Sequence, residues 1–325
     1  MTHKIVIYAW AAIFVLGALQ VDVQSAEKIH RVGILSGASE VPQFFDAFTR
    51  RLRELGYVEG KNIVFERKYA AGEIERLPQF ATELLKENVD IILAVTIPAV
   101  LAAKKASTTV PIVMNNIPDP VEVGIVDSLA SPGGNVTGTS SLGVDLSGKR
   151  LELLKETFPK LTRVAVLWNA ADRGMVLMSE RIQTAGRAFA VTIKPLAVRD
   201  GKDVDAALSE AAKSRPDAIY MIADRLTSLH LKQLLDFATK FKLPSMFEDE
   251  VFVNAGGLMA YGADRGEMNR RVAVYIDKIL KGAKPADLPV EQPKTFEFII
   301  NLKTAKQIGL TIPPNVLARA DKVIR

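Results

Sequence analysis

The chain has 325 residues, of which 48% are hydrophobic and 24% are charged, and its formal net charge is +5. This length can bury a full hydrophobic core and favours two domains, while the absence of cysteine excludes disulfides and a lipid anchor on an N-terminal cysteine. Only 7% of the residues are aromatic, and none is interleaved with the scattered basic pairs, which indicates solvated helix faces rather than nucleic-acid binding.

Residues 1–26 have the pattern of a secretory signal peptide. Lys4 precedes an apolar run over residues 5–19, and Ser25 and Ala26 offer a cleavage point. A helix over that run would be about 22 Å long, whereas the hydrocarbon core of a bilayer is about 30 Å thick. We therefore expect cleavage and a periplasmic location, with an uncleaved anchor as the alternative.

The first half of the remaining chain alternates short apolar strands with amphipathic helices. Residues 90–95 are apolar at every position after the first, which is typical of a strand in a parallel sheet that helices cover on both faces. The predicted strands are 31–35, 62–69, 90–95 and 111–114, and the predicted helices are 42–55, 74–87, 99–106 and 121–130.

A glycine-rich segment, Ser131-Pro-Gly-Gly-Asn-Val-Thr-Gly138, follows these elements. Its Pro-Gly-Gly part has the composition of a tight turn, and its Val-Thr-Gly part that of an extended segment. Because the alternation of strands and helices resumes after it, we interpret the segment as a hinge that crosses between two similar lobes.

The second half repeats the pattern of the first and then changes. The predicted strands are 163–168, 192–198, 217–222, 244–247 and 257–261, and the predicted helices are 149–157, 175–189, 204–214 and 228–241. A helix over 267–281 and an extended segment over 295–301 come last. Because neither half has an obvious vacancy for both, we expect them to form two further crossings between the lobes.

Several segments carry a resemblance to a known family. They are Gly56-Tyr-Val-Glu-Gly-Lys-Asn62, the glycine-rich segment, Gly148-Lys-Arg-Leu-Glu-Leu-Leu-Lys155, Gly256-Gly-Leu-Met-Ala-Tyr-Gly262, Lys281-Gly-Ala-Lys-Pro-Ala-Asp-Leu-Pro-Val-Glu-Gln-Pro293 and Asn301-Leu-Lys-Thr-Ala-Lys-Gln-Ile-Gly-Leu-Thr-Ile-Pro313. Together they resemble the ABC-transporter substrate-binding protein family whose better-known members bind tryptophan or tyrosine. The resemblance runs from Arg31 to Arg325.

This resemblance implies a type I periplasmic binding fold, an α/β fold of two Rossmann-like lobes with parallel sheets joined by three crossings. Lobe 1 would comprise residues 27–139 plus about 264–296, and lobe 2 residues 140–263 plus about 297–325. The implied partners are a small-molecule ligand between the lobes and an ABC permease with its ATPase. The protein would be a monomer that meets the membrane only through the permease.

The motifs of catalysis and of metal binding that this sequence approaches are incomplete. Gly133 and Gly138 have the spacing of a phosphate-binding loop, but Thr139 stands where its lysine is needed. Residues 138–142 lack the last glycine of a nucleophile elbow, and the three histidines are scattered along the chain. Without cysteine or paired histidines, metal ligation is also unsupported. We therefore predict no catalytic residue, no metal and no cofactor.

Topology predicts where a ligand binds, because ligands of open parallel sheets lie beyond the carboxyl ends of the strands, near helix N-termini. In lobe 1 these ends are followed by Ser36, Gly37, Thr96, Ile97, Asn115, Asn116 and Asp119. In lobe 2 they are followed by Asn169, Asp224, Glu248 and Tyr261, and Arg225 comes directly after Asp224. Ser140 and Ser141 lie just past the hinge and are expected to face the same cleft.

An amino acid ligand would divide these residues by charge. Its carboxylate needs hydroxyl and N–H donors, for which Ser36 and Thr96 are suited. Its ammonium group needs a carboxylate, for which Asp224 is the first choice and Glu248 the second.

Each assignment has a structural alternative. The two hydroxyl side chains are also suited to capping the helices that follow them. Asp224 has Arg225 and Lys232 as nearby ionic partners, and Asp119 and Glu248 have the alternative of being solvated loop charges. Trp168 could stack on an aromatic ligand or pack in the core.

From these residues and the resemblance we predict an exported, non-catalytic binding protein that captures a small organic solute, an amino acid or a related compound. The alternative is a periplasmic ligand sensor that feeds a membrane receptor or kinase, since the same fold serves both purposes.

Overall fold

A computed structural model describes residues 28–38 and 42–325 of the protein. The predicted signal peptide lies outside these residues. Across the described ranges, no helix combines the length and the apolar character needed to cross a membrane.

The first half of the described chain alternates strands with helices. The strands are β1 (His30–Ser36), β2 (Ile63–Tyr69), β3 (Ile91–Val95), β4 (Ile112–Ile117) and β5 (Val136–Ser140). The helices are α1 (Pro42–Glu54), α2 (Leu77–Lys86) and α3 (Ile97–Ala106), with a 3-10 turn at Ile74–Arg76 before α2.

The second half continues the alternation with more and shorter helices. Its strands are β6 (Arg163–Asn169), β7 (Thr192–Val198), β8 (Ala218–Met221), β9 (Ser245–Phe247), β10 (Met259–Ala263), β11 (Phe296–Asn301) and β12 (Lys322–Ile324). Its helices are α4 (Gly143–Thr157), α5 (Arg173–Ala188), α6 (Asp203–Ser214), α7 (Arg225–Leu229), α8 (Leu231–Lys240), α9 (Glu250–Asn254), α10 (Arg265–Leu280), α11 (Leu302–Ile308) and α12 (Pro314–Leu317).

The strands form two separate sheets. The first has the order β2-β1-β3-β4-β5, and all its neighbouring strands are parallel. The second has the order β12-β11-β10-β9-β8-β6-β7, in which β10 and β11 are antiparallel and the other pairs are parallel. The predicted α/β architecture with parallel-sheet lobes is confirmed.

Helices cover both faces of the first sheet, as its central strand shows. Ile92 and Ala94 of β3 pack on the side of α2 and α3, whereas Ile91 and Leu93 pack on the side of α1 and α10. Successive side chains of a strand point to opposite faces, so a strand buried on both faces is apolar throughout. Each buried isoleucine or leucine contributes about 1.5–3 kcal/mol relative to leaving it exposed.

The lobes are joined by three crossings that run side by side. The first leads from β5 to α4, the second from β10 to α10, and the third into β11. The N–H of Ser140 donates to the carbonyl of Glu291 over 2.9 Å, and the N–H of Asp264 donates to the carbonyl of Thr295 over 3.2 Å. The exact residues at which one lobe passes into the other stay a prediction. They are 139/140, about 263/264 and about 296/297.

The glycine-rich segment is not itself the crossing. Its turn precedes β5, the edge strand of the first sheet, so the turn belongs to the first lobe. β5 ends at Ser140 and α4 begins at Gly143, and Leu142 between them adopts a φ of +55°. The sequence interpretation was therefore wrong by several residues, because an edge strand and a crossing strand have the same extended composition.

The predicted helix over 121–130 is also wrong. These residues form turns, although Val123, Ile125 and Val126 are buried. Gly124 has a φ of +77°, which a right-handed helix does not allow. The predicted helix over 228–241 is interrupted at His230, between α7 and α8.

Gly138 in β5 is required by a close approach between strands. Its φ is +135°, and a Cβ at this position would overlap the carbonyl oxygen of Met114 in β4. We expect Gly138→Ala to lower the free energy of unfolding by about 2–5 kcal/mol, because it adds both backbone strain and overlap. Chemical denaturation measures this loss.

Gly282→Ala is the matched control for backbone strain alone. Gly282 also has a positive φ of +99°, but no atom lies within 4 Å of the position that a Cβ would take. Its loss should be about 1–2 kcal/mol. Equal losses for the two variants would contradict the account of Gly138.

Candidate functional site

The carboxyl ends of the two sheets face each other and are in contact. Arg173, at the start of α5, donates from Nη2 to the carbonyl oxygen of Glu122 in the first lobe over 3.3 Å. Leu177 of α5 packs against the cores of both lobes. Ile97, at the start of α3, lies so close to Gly174 that a Cβ on this glycine would overlap it. Ile97, a predicted ligand residue, therefore helps to close the cleft.

Ser36, Gly37 and Thr96 lie together where β1 and β3 end. Ser36 is 3% exposed, and its Oγ accepts from the N–H of Ala38 over 3.1 Å. Thr96 has a φ of +96°, and its Oγ1 accepts from the N–H of Gly37 over 3.3 Å. Because this hydroxyl is turned to Gly37, it does not cap α3, and the capping alternative is wrong for Thr96. The first turn of α3, in which Pro98 has no N–H, therefore keeps its remaining unpaired N–H groups, and such groups attract anions.

Asn115 and Asn116, near the carboxyl end of β4, have buried side-chain oxygens. In the described ranges, neither Oδ1 atom has a hydrogen-bond partner. Nδ2 of Asn115 donates to Oδ1 of Asn269 over 3.4 Å, and the N–H of Asn116 donates to Oγ1 of Thr139 over 2.9 Å. Leaving a buried acceptor unpaired costs about 1–3 kcal/mol, so a ligand with N–H donors would complement this pair.

Ser140, Ser141 and Asp119 order the loops at the base of the cleft. Oγ of Ser141 accepts from the N–H of Gly143 over 3.2 Å, and Oγ of Ser140 accepts from the backbone two residues later. Oδ1 of Asp119 accepts from the N–H of Glu122 over 3.0 Å. Asp119 is therefore bound to its own loop, and the contact of all three with ligand stays a prediction.

Asn169 and Asp224 are joined at the ends of β6 and β8. Nδ2 of Asn169 donates to Oδ2 of Asp224 over 2.6 Å. Oδ1 of Asp224 accepts from the N–H of Thr227 over 2.8 Å and from its hydroxyl over 2.9 Å, which caps α7. The alternative partner Lys232 is wrong, since Lys232 pairs with Asp236 instead.

Glu248, after β9, lies beside a buried arginine that the sequence did not single out. Oε1 of Glu248 accepts from the N–H of Ala223 over 3.0 Å. Arg150 of α4 is 2% exposed and donates from Nε to the carbonyl of Tyr261 over 2.6 Å and from Nη1 to the hydroxyl of Tyr220 over 3.5 Å. Arg150 thus fixes the backbone of Tyr261, one predicted ligand residue, and its positive charge acts on Glu248, another.

Two aromatic side chains flank these residues. Tyr261 is partly buried and stacks on Phe296 at a centroid distance of 6.1 Å. Trp168 packs against the core of the second lobe, as its structural alternative predicted. Its Nε1 is nevertheless buried, with no acceptor among the described residues. The indole N–H is therefore a free donor at the end of β6.

Arg225 is the clearest residue that the sequence did not assign to the site. Its guanidinium reaches the first lobe, where a Cβ on Gly72 would overlap it. Its Nε atom is buried and has no acceptor in the part of the chain that the structure describes. The sequence placed Arg225 beside Asp224 at the end of a strand, but gave it no role other than pairing with Asp224.

Burial biases the carboxyl groups of Glu248 and Asp172 towards the neutral form. It raises the pKa of Glu248, although the charge of Arg150 opposes this shift. It also raises the pKa of Asp172, to which the negative charge of Asp224 adds. A cation entering the cleft would favour the ionised forms. Within residues 28–38 and 42–325, no group of three or more His, Asp or Glu side chains is placed to hold a metal ion.

Residues 33–324 match the family model described as ABC transporter substrate binding protein. The chain is 28% identical over 264 residues to the tyrosine-binding protein of Clostridioides difficile strain R20291, which covers 81% of this chain and 75% of that protein.

Two solved structures share the whole two-lobed fold. A conserved domain protein from Vibrio cholerae O1 is 29% identical, with a TM-score of 0.86 over 91% of this chain and 100% of that chain. An ABC domain from Streptococcus pneumoniae in complex with L-Trp is 24% identical, with a TM-score of 0.84 over the same shares. The predicted type I periplasmic binding fold is confirmed.

The raised pKa of Glu248 predicts a pH dependence of stability. A carboxyl group whose pKa is higher in the folded state contributes stability that is full below its unfolded pKa and is lost as the pH rises through the folded pKa. Glu248→Gln removes this loss. The difference in free energy of unfolding between this variant and wild type, measured by chemical denaturation, should therefore change in favour of the variant as the pH rises from 4 to 7.

Asp203→Asn is the control of opposite sign. Hydrogen bonds from the N–H groups of Arg199 and Asp200 lower the pKa of Asp203. Its contribution is present above its unfolded pKa and is lost as the pH falls. The difference in free energy of unfolding between wild type and the Asn variant should therefore grow in favour of wild type as the pH rises from about 2 to about 4, and stay nearly constant from pH 4 to pH 7. If the free energies of unfolding of Glu248→Gln and wild type differed by the same amount at pH 4 and pH 7, the prediction would be wrong.

Proposed function

This chain belongs to the ABC transporter substrate binding protein family, and from that membership we propose that it captures an amino acid in the cleft between its lobes. In this proposal the protein is exported, has no catalytic activity, and works as a monomer. It delivers the amino acid to a membrane permease that is driven by an ATPase. The ligand is aromatic or branched aliphatic.

The observation that carries the proposal is a set of unsatisfied polar atoms at the facing strand ends. The acceptors are on the first lobe, at Oδ1 of Asn115 and of Asn116, and the donors are on the second, at Nε1 of Trp168 and Nε of Arg225. All four are buried and lack partners in the described ranges. A ligand with both N–H donors and carboxylate acceptors, such as an amino acid, would satisfy both kinds.

The related proteins support an aromatic amino acid. The curated relative is a tyrosine-binding protein, and one of the two structures of the same fold holds L-Trp. Tyr261 and the face of Trp168 would supply apolar contact for such a side chain.

We keep the predicted division of the site by charge. Ser36, Gly37 and the first turn of α3 receive the carboxylate. Asp224, held in place by Asn169, receives the ammonium group, and Glu248 is the second choice for it. The side-chain oxygens of Asn115 and Asn116 are additional acceptors for N–H groups.

Binding of amino acids can be tested by thermal shift with protein that has been unfolded and refolded to remove bound solutes. The panel contains L-tyrosine, L-tryptophan and L-leucine, with purine-like and dicarboxylate solutes as controls. A ligand at 100 times its Kd stabilises the folded form by about 2.7 kcal/mol, which corresponds to a shift of about 5 °C or more. We expect at least one amino acid to give this shift.

The controls decide what a positive result means. A shift with purine-like or dicarboxylate solutes alone would reject the amino acid. No shift with any compound would reject the capture of a small solute.

Recognition of the ammonium group predicts a selective effect of Asp224→Asn. The amide still caps α7, so the fold is kept, but it removes the negative charge. Calorimetric titration with L-tyrosine should show a loss of about 10-fold or more, because hydrogen bonds to charged groups are worth about 1.5–3 kcal/mol. The analogue without an amino group, 3-(4-hydroxyphenyl)propanoate, should bind as it does to wild type.

Asp249→Asn is the matched control. Asp249 also caps a short helix, α9, but its charge is paired with Arg265. This variant should leave both affinities unchanged. If Asp224→Asn weakened both compounds equally, Asp224 would not be the ammonium acceptor.

A further inference from the structure

Arg225 crosses the cleft to the carboxylate side of the first lobe. It is the first residue of α7, directly after the end of β8, yet its guanidinium lies against Gly72. Gly72 follows β2, has a φ of +97°, and donates its N–H to the carbonyl of Gly37 over 2.9 Å. The guanidinium occupies the space that a side chain at this position would take. The guanidinium therefore rests on the backbone that is hydrogen-bonded to Gly37.

Gly37 of the first lobe connects the place that Arg225 reaches to the start of α3. Gly37 donates its N–H to Oγ1 of Thr96, the residue that precedes α3, and Ser36 is its neighbour in the chain. The groups that suit a carboxylate in the first lobe thus lie next to the place that Arg225 reaches from the second lobe.

Arg225 has no ion-pair partner among the residues that the structure describes. In the described ranges, no carboxylate forms an ion pair with it, and its buried Nε has no acceptor. The adjacent Asp224 is engaged elsewhere, with Oδ1 on Thr227 and Oδ2 on Asn169. The charges of Asp224 and, more weakly, of Glu73 still act on Arg225 without forming an ion pair with it, and Glu73 pairs with Arg76. A partly buried guanidinium without an anion is a costly arrangement unless a ligand provides one.

We propose that Arg225 completes the carboxylate subsite when the lobes close, so that the ligand's α-carboxylate lies between its guanidinium and the first turn of α3. This inference rests on the proposed capture of an amino acid and adds the residue that reads its carboxylate. A guanidinium fits a carboxylate with two parallel hydrogen bonds, whereas the helix start offers N–H groups and a favourable dipole. Neither lobe holds both halves of this subsite.

The competing explanation is a latch. Arg225 would then stabilise the closed form through its contacts with Gly72 and Glu73, whatever the ligand carries. A latch strengthens binding of every ligand by the same factor, whereas a carboxylate reader strengthens only ligands with a carboxylate. The two explanations therefore differ in one measurable ratio.

The experiment compares each amino acid with its carboxamide, which keeps the ammonium group and the side chain but has no negative charge. Calorimetric titrations use L-tyrosine with L-tyrosinamide, L-tryptophan with L-tryptophanamide, and L-leucine with L-leucinamide. We expect Arg225→Gln to weaken the acid by about 10- to 100-fold and to leave the amide nearly unchanged. Arg225→Lys, which keeps the charge without the fork of donors, should retain part of the preference for the acid.

Arg173→Gln is the matched control, because Arg173 also crosses from the second lobe to the first but meets only the carbonyl of Glu122. It should not change the ratio of the acid affinity to the amide affinity. Equal weakening of acid and amide by Arg225→Gln, or no weakening of either, would overturn the inference while amino acid capture stands. Wild-type protein that binds no pair would refute amino acid capture, and the inference with it.

Discussion

The buried guanidinium of Arg150 is the interaction on which the second lobe's side of the cleft depends. It donates to the carbonyl of Tyr261, just before the second crossing, and to the carbonyl of Gly143, just after the first, over 2.6 and 3.3 Å. Burying a charge is costly unless its donors are satisfied, so this position tolerates little movement of either carbonyl. Two of the three crossings are therefore anchored to one side chain, which also lies beside Glu248.

The anchoring explains how the lobes can move without losing their sites. Backbone hydrogen bonds join the crossings to one another. Glu291 is bonded to both Ser140 and Gly138, and Asp264 is bonded to Thr295. A motion that bends these short segments leaves the strand ends of each lobe intact, because each lobe has its own sheet and its own cores. The contacts between the lobes include Arg173 on Glu122, Ile97 on Gly174 and Leu177 on the cores of both lobes. In the proposed capture of a ligand, the relative position of the lobes therefore changes, while the strand ends of each lobe keep their arrangement.

Sequence reasoning succeeded where short-range pattern decides the structure. The strand over residues 91–95 is apolar throughout because both its faces are buried, and the distinctive segments led to the right family. It failed where distant residues decide. Nothing local shows that Thr96 adopts a φ of +96°, that Arg150 is buried on a helix with many charged neighbours, or that Arg225 crosses to Gly72. Residues 121–130 contain apolar positions at helical spacing, but their loop packs those side chains without a helix.

Asp224 and Arg225 are neighbours in the chain, yet they act on different lobes. The carboxylate of Asp224 is held by Thr227 and Asn169 of its own lobe, so its position does not depend on closure. The guanidinium of Arg225 reaches its place against Gly72 only when the lobes are together. In the proposed site, the ammonium subsite therefore exists before closure, and the carboxylate subsite is completed by it. A ligand can favour the closed form only by interactions that the open form lacks. The carboxylate is then the group that drives closure, and the ammonium group is the one that selects the ligand beforehand.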